Sequence, residues 1–412
     1  MTPTSRSQLV VLGTGFAAFS LLRSLNTDLF DATVISPRNH FLFTPLLPST
    51  TVGTLEFRSI IEPIRKAFPR IRYHQGRCTA IDTSQKEVVC ESVLDRRPFR
   101  LRYDILVVAV GAVNNTYNIE GVEEHALFLK EIIEARQIRE RIIDCFERAS
   151  QPSISEERRK SLLRFVVVGG GPTGVEFAAE MHDFVKEDLR KAYAPLMQDV
   201  SILILEAGPS ILSTFDAVLS NYTARLFRRQ QIEVMTNAPV IRVGTDVIEL
   251  KNGTNVPYGL LVWSTGIGPT PVVRSLPFPK TKTSRILTDE FFRVKAYDGV
   301  FAVGDCATFE SFEFPATSQV AQQEGRYLAR TLLKMLKNKP VKPFRYHHYG
   351  MLAYVGGRRA LADLAAIKGR GLATWIFWRS AYLTKLVSAR NKILVLFDWL
   401  KTVVFGRDIS RF

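Results

Sequence analysis

The sequence predicts an α/β protein in which one strand–loop–helix fold is inserted in another and an amphipathic helical region follows. A glycine-rich loop directly after an apolar strand occurs twice, at residues 13–18 and 169–174. From residue 334 to 412 the chain is basic, with sixteen lysines and arginines against three aspartates. That excess supplies nearly all of the formal net charge of +15, and 412 residues suffice for two or three domains with their own cores.

The two loops share one design. The first, GTGFAA, follows the apolar residues 9–12, and the second, GGGPTG, follows the apolar residues 165–168. In each, the first glycine permits a tight turn, the second lets the backbone approach a pyrophosphate, and a small residue lets the helix pack closely on the strand. The pair predicts two Rossmann-like folds that bind two dinucleotides, with electron transfer between them, rather than two purely structural turns.

A third apolar strand, at residues 299–303, ends in Gly304-Asp305, where a carboxylate can accept hydrogen bonds from the polyol of a flavin. Strands at 106–111 and 261–266 end in small residues, as a chain that crosses between two folds requires. The order of first loop, second loop and late Gly-Asp resembles the two-dinucleotide flavoprotein superfamily. That resemblance implies FAD on the first fold and NAD(P)H on the inserted second fold.

The residue after the second strand of each fold is expected to contact the adenosine ribose. In the second fold this residue is Glu206, whose carboxylate accepts hydrogen bonds from a ribose diol and repels a 2′-phosphate, so NADH is favoured over NADPH. In the first fold Ser36 and Arg38 stand there, and alone they would suggest a 2′-phosphate site. The fold order indicates FAD instead, which places Arg38 by the diphosphate or in solvent.

The four cysteines, Cys78, Cys90, Cys145 and Cys306, form no Cys-x-x-Cys pair. This spacing disfavours disulfide-reductase and sulfide-oxidising chemistry and predicts incidental or buried thiols in a reducing compartment. No metal site is expected, because the adjacent side chains of residues 347 and 348 diverge.

The basic tail combines charge with apolar residues at helical spacing from Trp375 to Val404. Residues 393–405 are nearly all apolar, but as a helix they are ~20 Å long, too short for a ~30 Å hydrocarbon core. They suit an interfacial helix on an anionic lipid surface, and the alternative is a helix pair that packs on the protein or across a dimer. Nucleic acid is disfavoured because no binding module is present.

Four segments narrow the resemblance to the type II (alternative) NADH:quinone oxidoreductases, in particular their mitochondrial branch. These segments are PRNHFLFTPLLP at 37–48, GPTGVE at 171–176, GD at 304–305 and SQVAQQ at 318–323. The bacterial branch's lysine near residue 350 is not matched, since Tyr349 precedes Gly350, so no lysine is carried over as a quinone ligand. A calcium-binding insertion of some relatives is also absent.

This resemblance implies hydride transfer from NADH to FAD and then reduction of a membrane quinone, ubiquinone or menaquinone, without proton pumping. It implies a peripheral homodimer on the mitochondrial inner membrane or the cytoplasmic face of a bacterial plasma membrane. Two alternatives are a soluble NAD(P)H-dependent flavin reductase of an electron-carrier protein and a redox signalling flavoprotein similar to apoptosis-inducing factors. The expected domains are 7–117 with 263–345 for FAD, 118–262 for NADH, and 346–412 for membrane anchoring or dimerisation.

The motifs and the resemblance together give the candidate site residues. For FAD they are Gly13, Gly15, Phe16, Ala17, Ser36, Arg38, Thr44, Pro45, Ala109, Gly111 and Asp305. For NADH they are Gly169, Gly171, Pro172, Thr173, Gly174, Glu176, Glu206, Thr265 and Gly266. For the quinone they are Pro315, Gln319, Gln322, Gln323, Met351 and Tyr354. Glu176, Gln319 and Gln323 are the expected catalytic residues; the alternatives are a Glu176 that complements the helix dipole and glutamines that satisfy a neighbouring loop.

Overall fold

The computed structural model describes residues 6–365 and 367–411. Its strands are β1 (Ser7–Leu12), β2 (Phe30–Ser36), β3 (His40–Leu42), β4 (Ile61–Pro63), β5 (Arg72–Asp82), β6 (Glu87–Ser92), β7 (Pro98–Arg102), β8 (Ile105–Val108), β9 (Ala112–Asn114), β10 (Leu127–Phe128), β11 (Arg164–Val168), β12 (Ser201–Leu205), β13 (Ile232–Met235), β14 (Val240–Val243), β15 (Val247–Leu250), β16 (Asn255–Pro257), β17 (Leu260–Trp263), β18 (Ile267–Pro269), β19 (Ile286–Thr288), β20 (Val300–Ala302), β21 (Ala307–Phe309), β22 (Met351–Tyr354), β23 (Ala360–Asp363) and β24 (Lys368–Gly371).

The α-helices are α1 (Phe16–Ser24), α2 (Leu47–Thr51), α3 (Ile64–Ala67), α4 (Val122–His125), α5 (Ile132–Ala149), α6 (Glu156–Leu162), α7 (Pro172–Phe184), α8 (Arg190–Ala192), α9 (Ala217–Arg229), α10 (Pro271–Ser275), α11 (Ser318–Leu336), α12 (Leu372–Lys385) and α13 (Ala389–Phe405). A π-helical turn at Val185–Leu189 prolongs α7. Within the described ranges, no helix is both long and apolar enough to cross a membrane.

The described chain divides into two compact units. The first contains the residues up to Leu42, Glu62–Val113 and Ile267–His348, and the second contains Phe43–Ile61, Asn114–Gly266 and the residues from Tyr349 onward. The long middle segment of the second unit therefore interrupts the first unit in sequence. The α/β class and the insertion of one Rossmann-like fold in another, both predicted from the sequence, are confirmed.

The first unit is built on a seven-stranded sheet in the order β20-β8-β1-β2-β5-β6-β7. Strands β20 to β5 are parallel, and β6 and β7 continue the sheet as antiparallel strands. The register pairs Leu12 with Ile35 and Val108, and Val108 with Ala302, so the glycine loop after β1 and the residues after β2, β8 and β20 meet at one sheet edge. Ligands of open α/β sheets bind at this carboxyl edge.

The second unit repeats this plan with the parallel sheet β10-β17-β11-β12-β13. Val168 pairs with Leu205 and with Trp263, so the second glycine loop, the end of β12 and the end of β17 also share one edge. Strand β17 is a continuous buried apolar run, and so are β11 and β12 after their first residues, as expected for strands covered on both faces.

The C-terminal residues belong to the second unit. They form the antiparallel sheet β22-β23-β24 followed by α12 and α13. Asn391 donates its amide to the carbonyls of Ser59 and Ile61, both at 2.9 Å, and Asp398 accepts from Ser59 Oγ at 2.6 Å and Glu56 N at 3.0 Å. Asp398, which interrupts the apolar sequence of α13, thus fastens that helix to the segment 56–61.

Candidate active site

The glycine loop of the first unit has the geometry of a nucleotide cradle. Gly13 has φ +110°, and a Cβ there would lie 2.2 Å from the Ala109 carbonyl oxygen, so only glycine is tolerated. At Gly15 and at Gly111 a Cβ would meet nothing within 4 Å, so the backbone is open on the ligand side. Thr14 is buried, and its hydroxyl hydrogen-bonds Ser36 Oγ at 3.1 Å, which ties the loop to the end of β2.

The late Gly-Asp turn stands at the same edge. Gly304 has φ +77°, and its N–H donates to Glu324 Oε2 on α11 at 2.6 Å. Burial raises the pKa of Glu324 to about 7, so this carboxyl group is close to half protonated at neutral pH. The following residue, Asp305, lies at the carboxyl end of β20. These residues fit a flavin dinucleotide, with the diphosphate on the loop that opens α1 and Asp305 near the polyol.

The other FAD candidates fall in different surroundings. Ala17 is buried under α11, since a Cβ on Gly325 would lie 2.1 Å from the Ala17 carbonyl oxygen. The Phe16 ring contacts Phe41, with centroids 5.0 Å apart. The Arg38 carbonyl accepts from Thr14 Oγ1 at 3.3 Å, while Thr44 and Pro45 lie in a helical turn of the second unit.

The glycine loop of the second unit repeats the geometry of the first. Gly169 has φ +109°, and a Cβ there would lie 2.5 Å from the Ser264 carbonyl oxygen. A Cβ on Gly174 would lie 2.1 Å from the Gly169 carbonyl oxygen, which shows how closely α7 packs on β11. At Gly171, by contrast, nothing lies within 4 Å of a Cβ. The loop therefore fits a second diphosphate at the start of α7, where Pro172 and Thr173 form the first turn.

Glu206 is part of this second cradle. Its Oε2 accepts from Gly170 N and its Oε1 from Gly208 N, both at 2.6 Å. Each carboxylate oxygen has a second lone pair that can accept from a ribose hydroxyl. Next to it, Thr265 donates its hydroxyl to the Asn115 carbonyl at 2.9 Å, and a Cβ on Gly266 would lie 2.8 Å from Tyr117 Oη. Glu206 thus holds the loop in shape and keeps free acceptor capacity.

Glu176 lies in the second turn of α7 and is buried, with 7% of its surface exposed. Its Oε1 accepts from Tyr354 N on β22 at 3.0 Å. Burial, aided by the nearby charge of Glu180, raises the pKa of Glu176 to about 8. The side chain is therefore mostly a neutral acid at pH 7.

Two further buried carboxyl groups on α7 were missed in the sequence. Glu180 accepts from Ser49 Oγ at 2.6 Å and from Thr54 Oγ1 at 2.9 Å. Asp183 accepts from Gly357 N at 3.0 Å and from the Tyr354 hydroxyl. Their spacing from Glu176, four and seven residues, places all three on one helix face, and that spacing is the signal that could have found them.

The quinone candidates on α11 are engaged within the first unit. Gln323 makes two hydrogen bonds to the backbone of His347, to its carbonyl at 2.8 Å and from its N–H at 3.0 Å. Gln319 Oε1 accepts from the Tyr346 hydroxyl at 2.9 Å. The two glutamines hold the segment 346–348 on α11, which is the alternative considered for them above. Gln322 lies on the same helix, and Pro315 precedes it.

Met351 and Tyr354 are the other quinone candidates, and both lie on β22 in the second unit. The Tyr354 side chain is buried, its ring lies 5.5 Å from that of Trp378, and its hydroxyl donates to Asp183. Its hydroxyl and its backbone N–H therefore both donate to carboxyl groups on α7. Over the described residues, no three histidine, cysteine, aspartate or glutamate side chains converge as they would around a metal ion.

The two Rossmann-like units have matching glycine-loop cradles. The first unit also has the Gly-Asp turn, and the second has an acidic residue after its second strand. Together these features define a flavoprotein that binds two dinucleotides. All four cysteines are buried and free.

The comparisons with known proteins agree. The chain matches the family "Pyridine nucleotide-disulphide oxidoreductase" over residues 7–325 and the "NDH2 C-terminal domain" over residues 348–408. It is 48% identical to a "Probable NADH dehydrogenase" of Dictyostelium discoideum, covering 98% of this chain and 91% of that one. It is 43% identical to the mitochondrial "Internal alternative NAD(P)H-ubiquinone oxidoreductase A1" of Solanum tuberosum, covering 98% and 88%. The structure of NDH2 from Plasmodium falciparum in complex with NADH matches with a TM-score of 0.95 at 28% identity, covering 98% and 100%.

The chain therefore belongs to the type II NADH dehydrogenases, which are FAD-dependent NADH:quinone oxidoreductases that do not pump protons. The family, the activity and the two nucleotides predicted from the sequence are confirmed.

Proposed function

We propose that this enzyme works on the surface of the mitochondrial inner membrane, where it transfers two electrons from NADH to ubiquinone. The names of the Solanum tuberosum relative and of a Saccharomyces cerevisiae relative, the "External NADH-ubiquinone oxidoreductase 2, mitochondrial", support the quinone and the organelle. The proposed electron transfer is supported by the two glycine-loop cradles, one in each unit. A Cβ at Gly15 in the first cradle or at Gly171 in the second would meet nothing within 4 Å.

The first cradle would hold FAD through Gly13, Gly15, Gly111 and Asp305. Bound FAD supplies the redox chemistry, since it accepts a hydride from NADH and gives two electrons to a quinone. The chain contributes the cradle geometry: the closed side of the loop is fixed by the contact of Gly13 with Ala109, and the open side admits the diphosphate.

The second cradle would hold NADH through Gly169, Gly171 and Glu206. The carboxylate of Glu206 favours a ribose diol and opposes a 2′-phosphate. Glu176 would serve as a neutral acid whose proton can be donated to a reacting oxygen, because its raised pKa keeps it mostly protonated near pH 7. We propose Gln319 and Gln323 as residues that shape the quinone site by holding the segment 346–348 in place.

The membrane contact is proposed for the exposed apolar face of α12 and α13. On α13 the exposed residues recur at three- and four-residue intervals, so they form one stripe along the helix. The exposed apolar residues of the two helices are Leu372, Ile376, Phe377, Ile393, Leu396, Phe397, Leu400, Val403, Val404 and Phe405. Basic residues flank this stripe, among them Arg390 and Lys392, as expected for an interfacial helix on anionic lipid. The alternative occupant of the stripe is a second copy of the chain, which would make a homodimer.

The two cradles can be tested separately. Gly15→Val and Gly171→Val each add a side chain where the protein leaves open space, so both variants should fold. We expect the Gly15 variant to lose bound FAD, and the Gly171 variant to keep the flavin spectrum while its KM for NADH rises at least tenfold. Gly174→Ala provides a contrast, because its Cβ would clash with the Gly169 carbonyl oxygen at 2.1 Å and should lower the melting temperature. A Gly171 variant with wild-type NADH kinetics would contradict the assignment.

A further inference from the structure

The carboxyl groups on α7 form a buried ladder. Glu176, Glu180 and Asp183 are spaced as neighbours on one helix face, and they expose only 7%, 4% and 3% of their surfaces. Buried carboxylates are tolerated only when they are paired, hydrogen-bonded or protonated. The partners of this ladder therefore decide which of its members carries a charge.

One cation reaches the ladder from far along the chain. The side chain of Arg407 is 6% exposed and lies among three carboxyl groups. Its Nη1 donates to Asp188 Oδ2 at 2.8 Å and to Glu187 Oε2 at 2.9 Å, and its Nη2 lies 4.0 Å from Glu180 Oε2. The Arg407 backbone N–H also donates to Asp188 Oδ1 at 3.1 Å, which fixes the approach of the residue.

The hydroxyl group of Thr54 bridges Arg407 and Glu180. Arg407 Nε donates to Thr54 Oγ1 at 2.9 Å, and Thr54 Oγ1 donates to Glu180 Oε2 at 2.9 Å. Because a guanidinium group can only donate, the threonine hydroxyl must direct its own proton toward Glu180. Glu180 Oε2 is thus an acceptor, and Ser49 supplies a second hydroxyl at Oε1.

We propose that Arg407 is a positioning residue for the NADH:quinone reaction: it favours the ionised form of Glu180, and the negative charge of Glu180 in turn favours the protonated form of Glu176. The inference rests on the proposed function only in giving Glu176 a part in the reaction. Glu176 sits one helical turn from Glu180, so a negative charge on Glu180 opposes a second one on Glu176. Arg407 therefore acts on the proton of Glu176 through Glu180.

The directions of the pKa shifts agree with this chain of effects. Burial has the largest effect on Glu180 and leaves its pKa above the ordinary value, while the Arg407 charge and the Ser49 and Thr54 hydroxyl groups oppose that rise. Burial raises the pKa of Glu176, and Glu180 raises it further. The other ionisable groups that face the ladder are His182, Asp183, Glu187, Asp188, Tyr354, Arg358, Arg379 and Tyr382.

The test is an infrared pH titration of the FAD-loaded protein, in which the protonated carboxyl band of Glu176 is assigned by its loss in Glu176→Gln. In Arg407→Gln, we expect Glu180 to take up a proton and the Glu176 titration midpoint to fall by about one pH unit, the size of a like-charge interaction across one helical turn. Glu180→Gln should produce the same fall, and the double variant Glu180→Gln with Arg407→Gln should show no further change.

The double variant separates the possible mechanisms. If Arg407 acted directly on Glu176, Arg407→Gln would raise the Glu176 titration midpoint both in the wild type and in Glu180→Gln, and that result would overturn the proposal. A Glu176 midpoint that does not change in Arg407→Gln would also overturn it. Arg407→Lys keeps the charge but not the fork of donors, so it should fold if Arg407→Gln does not and should give a smaller fall. The infrared band reports the proton without turnover, whereas a failed quinone assay on the wild-type enzyme would refute the proposed function alone.

Discussion

Replacing Glu176 with glutamine should stabilise the protein, and the gain should depend on pH. Glutamine keeps the oxygen that accepts from Tyr354 N and cannot ionise, so it mimics the neutral acid of the native state. Below the ordinary pKa of 4.5, Glu176 is protonated in both the folded and the unfolded chain. The substitution should then change the free energy of unfolding only a little.

The gain grows once the unfolded chain can ionise. The folded pKa of Glu176 is about 8, against an ordinary value of 4.5. Between these values the unfolded state loses a proton that the folded state retains, so the wild type loses up to ~1.4 kcal/mol of stability for each pH unit. At pH 7 the accumulated penalty is about 3 kcal/mol as an upper limit, and above the folded pKa it stops growing.

Urea unfolding of the FAD-loaded wild type and Glu176→Gln, followed from pH 4 to pH 9, measures this difference. We expect the two curves to coincide near pH 4, apart from a constant offset, and to separate steadily up to about pH 8. Glu123→Gln on the exposed helix α4 is the matched control, since water hydrates that side chain in both states. A difference between wild type and Glu176→Gln that does not change with pH would refute the burial of an uncharged Glu176.

Three further predictions concern the other sites. Glu206→Gln should raise the kcat/KM for NADPH relative to that for NADH. Because the new glutamine amide would face Gly170 N, the melting temperatures of the variant and the wild type must be compared as a control. An unchanged ratio of the two kcat/KM values would contradict the role of Glu206 at the ribose. Gln323→Ala should free the backbone of His347 and raise the KM for quinone several-fold, while the rate of flavin reduction by NADH stays near that of the wild type. Equal losses in both half-reactions would exclude a quinone-specific effect. Phe397→Glu with Leu400→Glu should abolish sedimentation with anionic liposomes but preserve NADH:ferricyanide activity, and liposome binding at wild-type levels would rule out the α13 stripe as the membrane contact.

The fold could be predicted because its signals are local. Apolar strands that end in glycine loops at residues 13 and 169, and in Gly-Asp at residue 304, constrain the backbone within a few residues. The structure shows the physical reason: Gly13, Gly169 and Gly304 all have positive φ angles that other residues rarely adopt. The helical spacing of apolar residues in the C-terminal region is also a local signal, and the structure has the helices α12 and α13 where that spacing predicts them.

The missed features depend on side chains that are distant in sequence. Arg407 binds Asp188 and faces Glu180, more than two hundred residues earlier, and no local pattern announces such a pairing. Cys78 and Cys90 form no sequence motif, yet they stand opposite each other because β5 and β6 pair in that register. The two glutamines of α11 share a face as expected, but their partners in the segment 346–348 follow from the packing of that segment.

A double-mixing stopped-flow experiment would decide the activity. The FAD-loaded protein is first mixed with one equivalent of NADH without oxygen, and the reduced flavin is then mixed with a short-chain ubiquinone in detergent. The flavin absorbance should bleach with NADH and return with the quinone at a rate at least equal to steady-state turnover. A flavin that NADH bleaches but that ubiquinone does not reoxidise on that time scale would show that the quinone is not its electron acceptor.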